Sequence, residues 1–157
     1  MSGRVLTKKV PLEQYRETMR DFPIVTVDVI FLNADRTKVL LGRRTSEPHA
    51  GKFYSFGGRL YKNEDLKEAA CRIAQEEVGI TLAPRELRFA GVLNEIDDNS
   101  KFEGINYHAV DLYFGCVIGD VVVSLDPQNS EARWFDVNDA THHPYVREKI
   151  AGALRAL

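Results

Sequence analysis

Residues 57–80 of this chain read GGRLYKNEDLKEAACRIAQEEVGI. The spacing is G-x5-E-x7-R-x3-E-E-x-G-I, counted from Gly58 to Ile80. It joins a glycine pair, whose backbone a ligand can approach closely, to carboxylates at helical spacing. Because a hard divalent cation takes oxygen ligands and bridges diphosphate oxygens, this segment indicates a metal-assisted site for a diphosphate.

The segment itself predicts a helix over residues 64–78. Asn63 is the expected N-cap, and Gly79 suits the left-handed residue that follows a helix end. An apolar stripe with i, i+3, i+4, i+7 spacing, formed by Leu66, Ala69, Ala70 and Ile73, predicts the buried face. Glu76 and Glu77 lie about 100° apart around such a helix, so both can flank one ligand.

The rest of the chain alternates strands with a few helices. Apolar patterning predicts helices over 11–20 and from Pro144 onward, and strands over 24–32, 38–44, 87–95, 107–118, 121–125 and 132–135. The turn at 33–36 makes the first two strands a hairpin, and Trp134 is expected in the core. This order predicts an α/β fold in which helices flank a mixed central sheet.

Bulk properties exclude several classes of protein. A chain of 157 residues fits one domain. A net charge of −2 gives no basic field for nucleic acid, so an anion site needs a local arginine cluster. The most apolar stretch, residues 24–32, is too short to span a membrane, and the start has no apolar signal sequence. Cys71 and Cys116 fall inside predicted elements, which favours the reducing cytoplasm.

The acidic helix can be interpreted as a metal site. A Glu76–Glu77 pair and a backbone carbonyl of the Gly57–Gly58 loop are suitable ligands for Mg²⁺, with Mn²⁺ as the alternative. An isolated glutamate pair is ordinarily solvated helix surface. The complete spacing, with glycines before and after, favours the metal site.

At this point the chain resembles the Nudix hydrolase family, whose signature is G-x5-E-x7-R-E-U-x-E-E-x-G-U, with U a bulky aliphatic residue. The matching positions are Gly58, Glu64, Arg72, Glu76, Glu77, Gly79 and Ile80. Ile73 stands where the family has a further glutamate. The resemblance implies one Nudix-type α/β/α sandwich over residues 1–157, with the signature at 58–80.

Within the family, the chain is similar to the GDP-mannose mannosyl hydrolases, which share the missing glutamate. The similar stretches are Ile24–Asp28, Leu41–Thr45, Pro48–Gly51, Asp97–Asn99, His108 and Gln128 six residues before Trp134. The resemblance implies that Mg²⁺ binds a nucleotide-sugar diphosphate while water attacks the anomeric carbon and GDP leaves. It also implies a homodimer, with residues 1–22 as a possible contact, and no nucleic-acid or membrane partner.

The resemblance also implies roles for individual residues. Gly57, Glu77 and Gln128 are implied metal ligands, with Glu76 beside them. Arg44, Arg59 and Arg72 are implied cations at the leaving diphosphate, and Asp28 is implied to act at the sugar. Tyr15 would pack by the base, and Arg43, Asp97 and His108 fall in the substrate-binding stretches.

Simpler interpretations of these residues stay open. Arg44 can be a solvated residue at a strand end, and Asp28 can belong to a polar network satisfied by backbone groups. Tyr15 can be core packing, and Arg72 can pair with Glu76 without contacting substrate. Gln128 can be an ordinary loop residue.

One position departs from the subgroup at the mechanism itself. The subgroup has a general-base histidine directly after the loop glutamine, and this chain has Asn129 there. An amide cannot accept a proton at neutral pH. Glu131 can substitute; alternatively His108, His142 or His143 approaches from elsewhere, or the chain has another reaction. The rival functions are attack at phosphorus, releasing a nucleoside monophosphate and a sugar phosphate, and nucleotide binding without turnover.

Overall fold

The computed structural model describes residues 9–120 and 122–157 of the chain. The helices are α1 Leu12–Asp21, α2 Leu66–Val78 and α3 Pro144–Ala156, with a 3₁₀ turn at Pro84–Glu86. The strands are β1 Ile24–Leu32, β2 Lys38–Arg44, β3 Phe53–Tyr54, β4 Phe56–Arg59, β5 Arg88–Asp97, β6 Tyr107–Val117 and β7 Asn129–Asp136. In the described ranges, no helix is both long and apolar enough to cross a bilayer.

All seven strands belong to one mixed sheet. Its order is β3-β2-β1-β6-β5, while β4 also pairs with β1 and β7 with β2. β1 and β6 are parallel, and the other pairs are antiparallel. The predicted hairpin of β1 and β2 is present. The mixed α/β architecture predicted from the sequence is confirmed.

Helices cover both faces of this sheet, because alternate residues of β1 point in opposite directions. Val27 and Val29 pack in one cluster with the apolar face of α2. Ile30 and Leu32 pack in a second cluster with α3. Ile73 is fully buried in the first cluster, as its place on the helix stripe predicts.

The sheet splits beside β1, and this split positions the site. β2 pairs with β1 at Phe31 and Leu32, whereas β4 pairs with the earlier residues Thr26–Val29. Both partners occupy the edge of β1 opposite β6. Since β2 and β4 leave β1 at different points of one edge, a cleft opens between them.

The start of α2 differs from the prediction. The helix begins at Leu66, and Asp65 is its N-cap, accepting a hydrogen bond from the Lys67 N–H at 2.9 Å. Glu68 completes a capping box by accepting from the Asp65 N–H. Asn63 instead has a φ of 68°. Asparagine tolerates this left-handed conformation, so it turns the chain before the cap.

Two further predictions were wrong. Residues 122–125 form no strand, because the Ser124 and Asp126 N–H groups donate to carbonyls of Val78 and Glu77 at the end of α2; Val121 lies outside the described residues. Trp134 is 36% exposed. Among the described residues, its strand β7 pairs only with β2 and lies beyond the cover of α2, so the tryptophan is not enclosed.

Candidate active site

A cavity of about 400 Å³ opens at the split in the sheet. Its walls come from α1, β1, β4, α2 and the loop after β2. The lining includes ten of the residues named from the sequence: Tyr15, Asp28, Arg44, Gly57, Gly58, Arg59, Arg72, Glu76, Glu77 and Gln128. The topology therefore gathers residues that are up to 113 positions apart in the chain, from Tyr15 to Gln128.

Arg72 holds the acidic helix against the glycine loop. Its Nε donates to Glu64 Oε2 at 2.7 Å, and its Nη2 donates to the Arg59 carbonyl at 2.9 Å. Nη1 also contacts Glu76 Oε2 at 3.2 Å, as the simpler interpretation of Arg72 expected. Glu64, whose side chain is only 3% exposed, is thus committed to Arg72. Its role is to fix the guanidinium, which stacks on Tyr61 at 3.8 Å.

Glu77 is a buried carboxylate whose hydrogen bonding is incomplete among the described residues. It is 3% exposed, and its Oε1 accepts a hydrogen bond from Asn129 Nδ2 at 3.4 Å. Its Oε2 is buried and has no hydrogen-bond partner among the described residues. Burial raises the pKa of Glu77 well above its usual value, and the charges of Asp126 and Asp28 add to this. A buried carboxylate oxygen without a partner costs free energy unless a ligand satisfies it.

A divalent cation fits this position by chemistry. Glu77 Oε2 is an open oxygen donor, and the Gly57 backbone and Gln128 line the same cavity. No three His, Cys, Asp or Glu side chains converge as a metal cage within residues 9–120 and 122–157. Mg²⁺ does not require such a cage, because it uses few carboxylates and keeps water and phosphate oxygens as ligands.

A buried lysine supports the floor of the cavity. Lys149 of α3 is 0% exposed, and its Nζ lies 2.8 Å from Asp28 Oδ2, 2.6 Å from Glu95 Oε1 and 3.2 Å from Asp111 Oδ2. Ser55 also donates to Asp28 Oδ2. Asp28 therefore belongs to a polar network, as its simpler interpretation proposed, but the partners are side chains and the carboxylate also lines the cavity.

The charges in this network are unbalanced, with three carboxylates around one ammonium group. Burial raises the pKa of Asp28 to about 7; Asp111 adds to the rise, and Lys149 opposes it. Gly57 is required beside this carboxylate. A Cβ built on Gly57 would lie 1.7 Å from Asp28 Oδ1, so any other residue would displace it.

Sequence reasoning missed Lys149, although a signal was present. Lys149 follows Val146 by three residues and precedes Ala153 by four, so it interrupts the apolar stripe of α3. A charged residue on a buried helix face is almost never left unpaired. Its partners could not be identified, because they lie on three separate strands.

The remaining cations of the site line its wall. The Arg44 Nε donates to the Pro48 carbonyl at 2.7 Å, which fixes the guanidinium beside the loop after β2. The Arg59 guanidinium lies 3.8 Å from the centre of the Tyr15 ring. Tyr15 also packs edge-on against Phe102 at 5.5 Å, so it combines core packing with exposure to the cavity.

Four of the named residues do not line the cavity. The Arg43 Nε donates to the Gly51 carbonyl at 3.2 Å, and His108 Nε2 is bonded to Asn94 Oδ1 at 2.7 Å. Asp97 Oδ2 lies 3.6 Å from His49 Nδ1. Glu131 is paired with Arg133 at 2.7 Å.

The position of Glu131 has a geometric cause. Asn129 pairs with Arg44 and Glu131 with Arg43, because a bulge shifts the register between them. Paired residues of an antiparallel ladder share a face, and Arg43 and Arg44 point to opposite faces. Glu131 therefore points away from Asn129 and Glu77, and the geometry gives no support for Glu131 as a substitute base.

The side chains of His142 and His143 have structural roles. His142 Nε2 is bonded to the Asp136 carbonyl at 2.8 Å. His143 is the N-cap of α3, and its Nδ1 accepts from the Tyr145 N–H at 3.1 Å. No histidine lines the cavity within the described ranges, so the base expected from the subgroup has no replacement of its own kind.

A family model described as the NUDIX domain matches residues 23–157. The chain belongs to the Nudix family. It is 32% identical to the low-salt glycan biosynthesis protein Agl8 of Haloferax volcanii over 145 residues, covering 92% of this chain and 90% of that protein.

Solved Nudix structures share the fold. A MutT NUDIX hydrolase of Burkholderia pseudomallei superposes with a TM-score of 0.70 at 22% identity, covering 84% of this chain and 98% of that one. The NUDIX domain of Shewanella oneidensis NrtR, solved with ADP ribose, superposes with a TM-score of 0.68 at 16% identity. The match covers 93% of this chain and 98% of that one. Membership identifies the chain as a Nudix hydrolase of nucleoside diphosphate derivatives, a family that generally uses Mg²⁺ or Mn²⁺.

Proposed function

We propose that this Nudix hydrolase cleaves a nucleoside-diphosphate sugar, GDP-mannose or GDP-glucose, by Mg²⁺-dependent attack of water on the anomeric carbon. The observation that carries the proposal is the buried Oε2 of Glu77, which has no partner among the described residues and lies in a cavity lined by Arg44, Arg59 and Arg72. The similarity to Agl8, whose name places it in glycan biosynthesis, supports a sugar-containing substrate.

Attack at carbon is favoured by the residue that replaces a signature glutamate. Ile73 is 2% exposed and packs in the apolar cluster of α2. The position that carries an additional metal-binding or water-activating carboxylate in MutT-like members of the family is therefore hydrocarbon here. Attack at phosphorus loses more from this change than attack at carbon, which needs mainly a stabilised leaving group.

In the proposed mechanism, Gly57, Glu77 and Gln128 would hold the metal, which would supply positive charge to neutralise the departing diphosphate. Arg44, Arg59 and Arg72 bind the diphosphate oxygens, and their own hydrogen bonds and ring contacts hold them in place. Preorganised cations of this kind stabilise a developing charge without reorganising during the reaction. Asp28 faces the sugar and stabilises positive charge on its ring.

Hydrolysis in ¹⁸O-labelled water tests the proposal with GDP-mannose and Mg²⁺. Label in the free hexose supports attack at carbon. Label in a phosphate would instead identify attack at phosphorus, with a nucleoside monophosphate and a sugar phosphate as products. Tight binding without any product would identify a nucleotide-binding module, which the absence of a histidine base favours.

The proposal extends to a cytoplasmic homodimer. Both cysteines are free thiols, which agrees with a reducing compartment. On the α2 side, no described helix covers the β5–β6 half of the sheet, where Val92 is 56% exposed, and Val25 of the neighbouring strand β1 is 41% exposed. An uncovered apolar sheet face of this kind is a typical interaction surface. Of the expected N-terminal contact, residues 1–8 lie outside the described residues, and α1 lines the cavity.

A further inference from the structure

The cavity has two chemically different parts. Its wall carries the cations Lys9, Arg44, Arg59, Arg72 and Lys101. The polar floor, formed by Thr26, Asp28, Ser55 and Tyr107, carries hydroxyl groups and one carboxylate. Lys149 lies beneath this floor and is enclosed by three carboxylates, so its charge is not available to a ligand.

Tyr107 is the member of the polar floor whose side chain has no hydrogen-bond partner in the part of the chain that the structure describes. Thr26 donates to Asp111 Oδ1 at 2.6 Å, and Ser55 donates to Asp28. The phenol hydroxyl of Tyr107 makes no hydrogen bond to any residue in the described ranges. Burial and the charges of Glu95, Asp28 and Asp111 hold the pKa of Tyr107 well above its usual value. The phenol therefore stays protonated and can donate a hydrogen bond.

The chemistry of the polar floor excludes a phosphate and suits a neutral hydroxyl group. Carboxylates behind the floor repel an anion, whereas the wall attracts one. Tyr107 offers a hydrogen-bond donor and Asp28 an acceptor in the same cavity, and hydroxyl groups of a ligand can use both.

We propose that Tyr107 binds a hydroxyl group of a neutral hexose, and that the polar floor is the sugar subsite of the cavity. This inference rests on the proposed function and adds the residue that contacts the sugar. The diphosphate then lies against the cationic wall, and the two parts of the cavity divide the substrate between them.

The test compares the affinities for GDP and for GDP-mannose of the Tyr107→Phe variant with those of the unchanged protein. Affinities are measured by calorimetric titration with Ca²⁺ in place of Mg²⁺ to suppress turnover, and product formation is checked. Because the phenol has no partner in the described protein, the substitution leaves the fold intact. We expect the affinity for GDP-mannose to fall roughly two- to tenfold, as for one lost hydrogen bond, and that for GDP to stay unchanged.

Tyr61→Phe is the matched control. Tyr61 also lines the cavity, but its ring stacks on Arg72 at the cationic wall. We expect this variant to keep the ratio of GDP-mannose to GDP affinity. If Tyr107→Phe lowers the affinities for GDP-mannose and GDP equally, or lowers neither, the sugar subsite is overturned. Continued binding of GDP would in that case leave the proposed function standing. Failure of the unchanged protein to bind either nucleotide overturns both.

Discussion

Asn129 is the residue at which this chain departs from the enzymes it resembles. Its amide is 6% exposed and donates to Glu77 Oε1. A Cβ at Gly42 would lie 2.6 Å from Asn129 Oδ1, so glycine is needed there to admit the amide. Asn129 thus orients the proposed metal ligand and leaves its other oxygen open.

We predict that Asn129→Ala weakens metal binding by about 10- to 100-fold, the usual effect of losing a hydrogen bond that orients a ligand. Titration with Mn²⁺, followed by electron paramagnetic resonance, measures this loss directly. Ser130→Ala, at an exposed neighbouring residue, is the control. Unchanged Mn²⁺ affinity in Asn129→Ala would contradict the role of the amide.

Lys149 supports a second prediction at this scale. Lys149→Met leaves Asp28, Glu95 and Asp111 buried without their cation, which typically costs about 3–5 kcal/mol. Urea unfolding should show this loss in the free energy of unfolding. Lys62→Met, at an exposed lysine, should change it by less than about 0.5 kcal/mol. Equal stability of the two variants would show that the network does not stabilise the fold.

Among the elements, α2 shows most clearly what the sequence could predict. Its apolar stripe, its left-handed glycine and its acidic spacing were read from local patterns, because helix periodicity and end signals are local. The N-cap was wrong by two residues, since both Asn63 and Asp65 are good capping residues. The strand predicted at 121–125 failed because the hydrogen bonds of residues 124 and 126 go to α2, which no local pattern reveals.

The cap can be tested by substitution. We predict that Asp65→Ala lowers the free energy of unfolding by about 0.5–2 kcal/mol, as loss of an N-cap usually does. Asn63→Gly should cost no more than a few tenths, because glycine accepts a positive φ and no cap is lost. Urea denaturation of both variants measures the difference. A larger loss of stability for Asn63→Gly than for Asp65→Ala would indicate that Asn63 is the N-cap, as the sequence predicts.

At the scale of the whole molecule, the site was only partly predictable. The motif predicted residues that do line the cavity, because their spacing is fixed within one loop and helix: Gly58, Arg59, Arg72, Glu76 and Glu77. Arg44 was implied only by the resemblance. Lys149, Tyr107 and Ser55 were missed, since they join the site through packing of α3, pairing of β1 with β6 and pairing of β1 with β4, respectively. Those contacts depend on topology, which residue spacing does not specify.

A pH dependence follows from His49, which links the loop after β2 to α3 and β5. It stacks on Tyr54 at 4.4 Å and lies 4.6 Å from the His143 ring. Burial lowers the pKa of His49 to about 4; His143, Arg44 and Lys52 add to this, and Asp97 opposes it. The unfolded chain therefore binds more protons between pH 4 and 6.5, so this histidine's contribution to stability falls as the pH drops through that window.

We predict that His49→Asn removes this contribution. Asparagine is chosen because His49 has a φ of 67°, which asparagine tolerates. The stability of the unchanged protein relative to the variant should rise with pH by up to about 1.4 kcal/mol per unit between pH 4 and 6.5. Chemical denaturation across this range measures the free energy of unfolding of both proteins. The raised pKa of Asp28 makes its contribution to stability fall as the pH rises, but this contribution is common to both proteins and cancels when they are compared. Parallel pH profiles would contradict the prediction.

The proposed dimer is tested on the uncovered sheet face. We predict that Val92→Asp converts a dimer into a monomer, because a charge would be buried at the contact. Sedimentation equilibrium measures the mass. Arg133→Asp, on the exposed part of β7, is the control and should remain dimeric. A monomeric unchanged protein, or a dimeric Val92→Asp variant, would contradict the assignment of this face.

The link between Lys149 and Asp28 also has a consequence for biosynthesis. The two residues are 121 positions apart. At roughly 5–20 residues per second, a ribosome adds the lysine about 6–24 s after the aspartate. During that interval the nascent chain lacks the cation that offsets the free-energy cost of burying the Asp28 carboxylate. The floor of the cavity is therefore completed only after synthesis has passed Lys149 in α3.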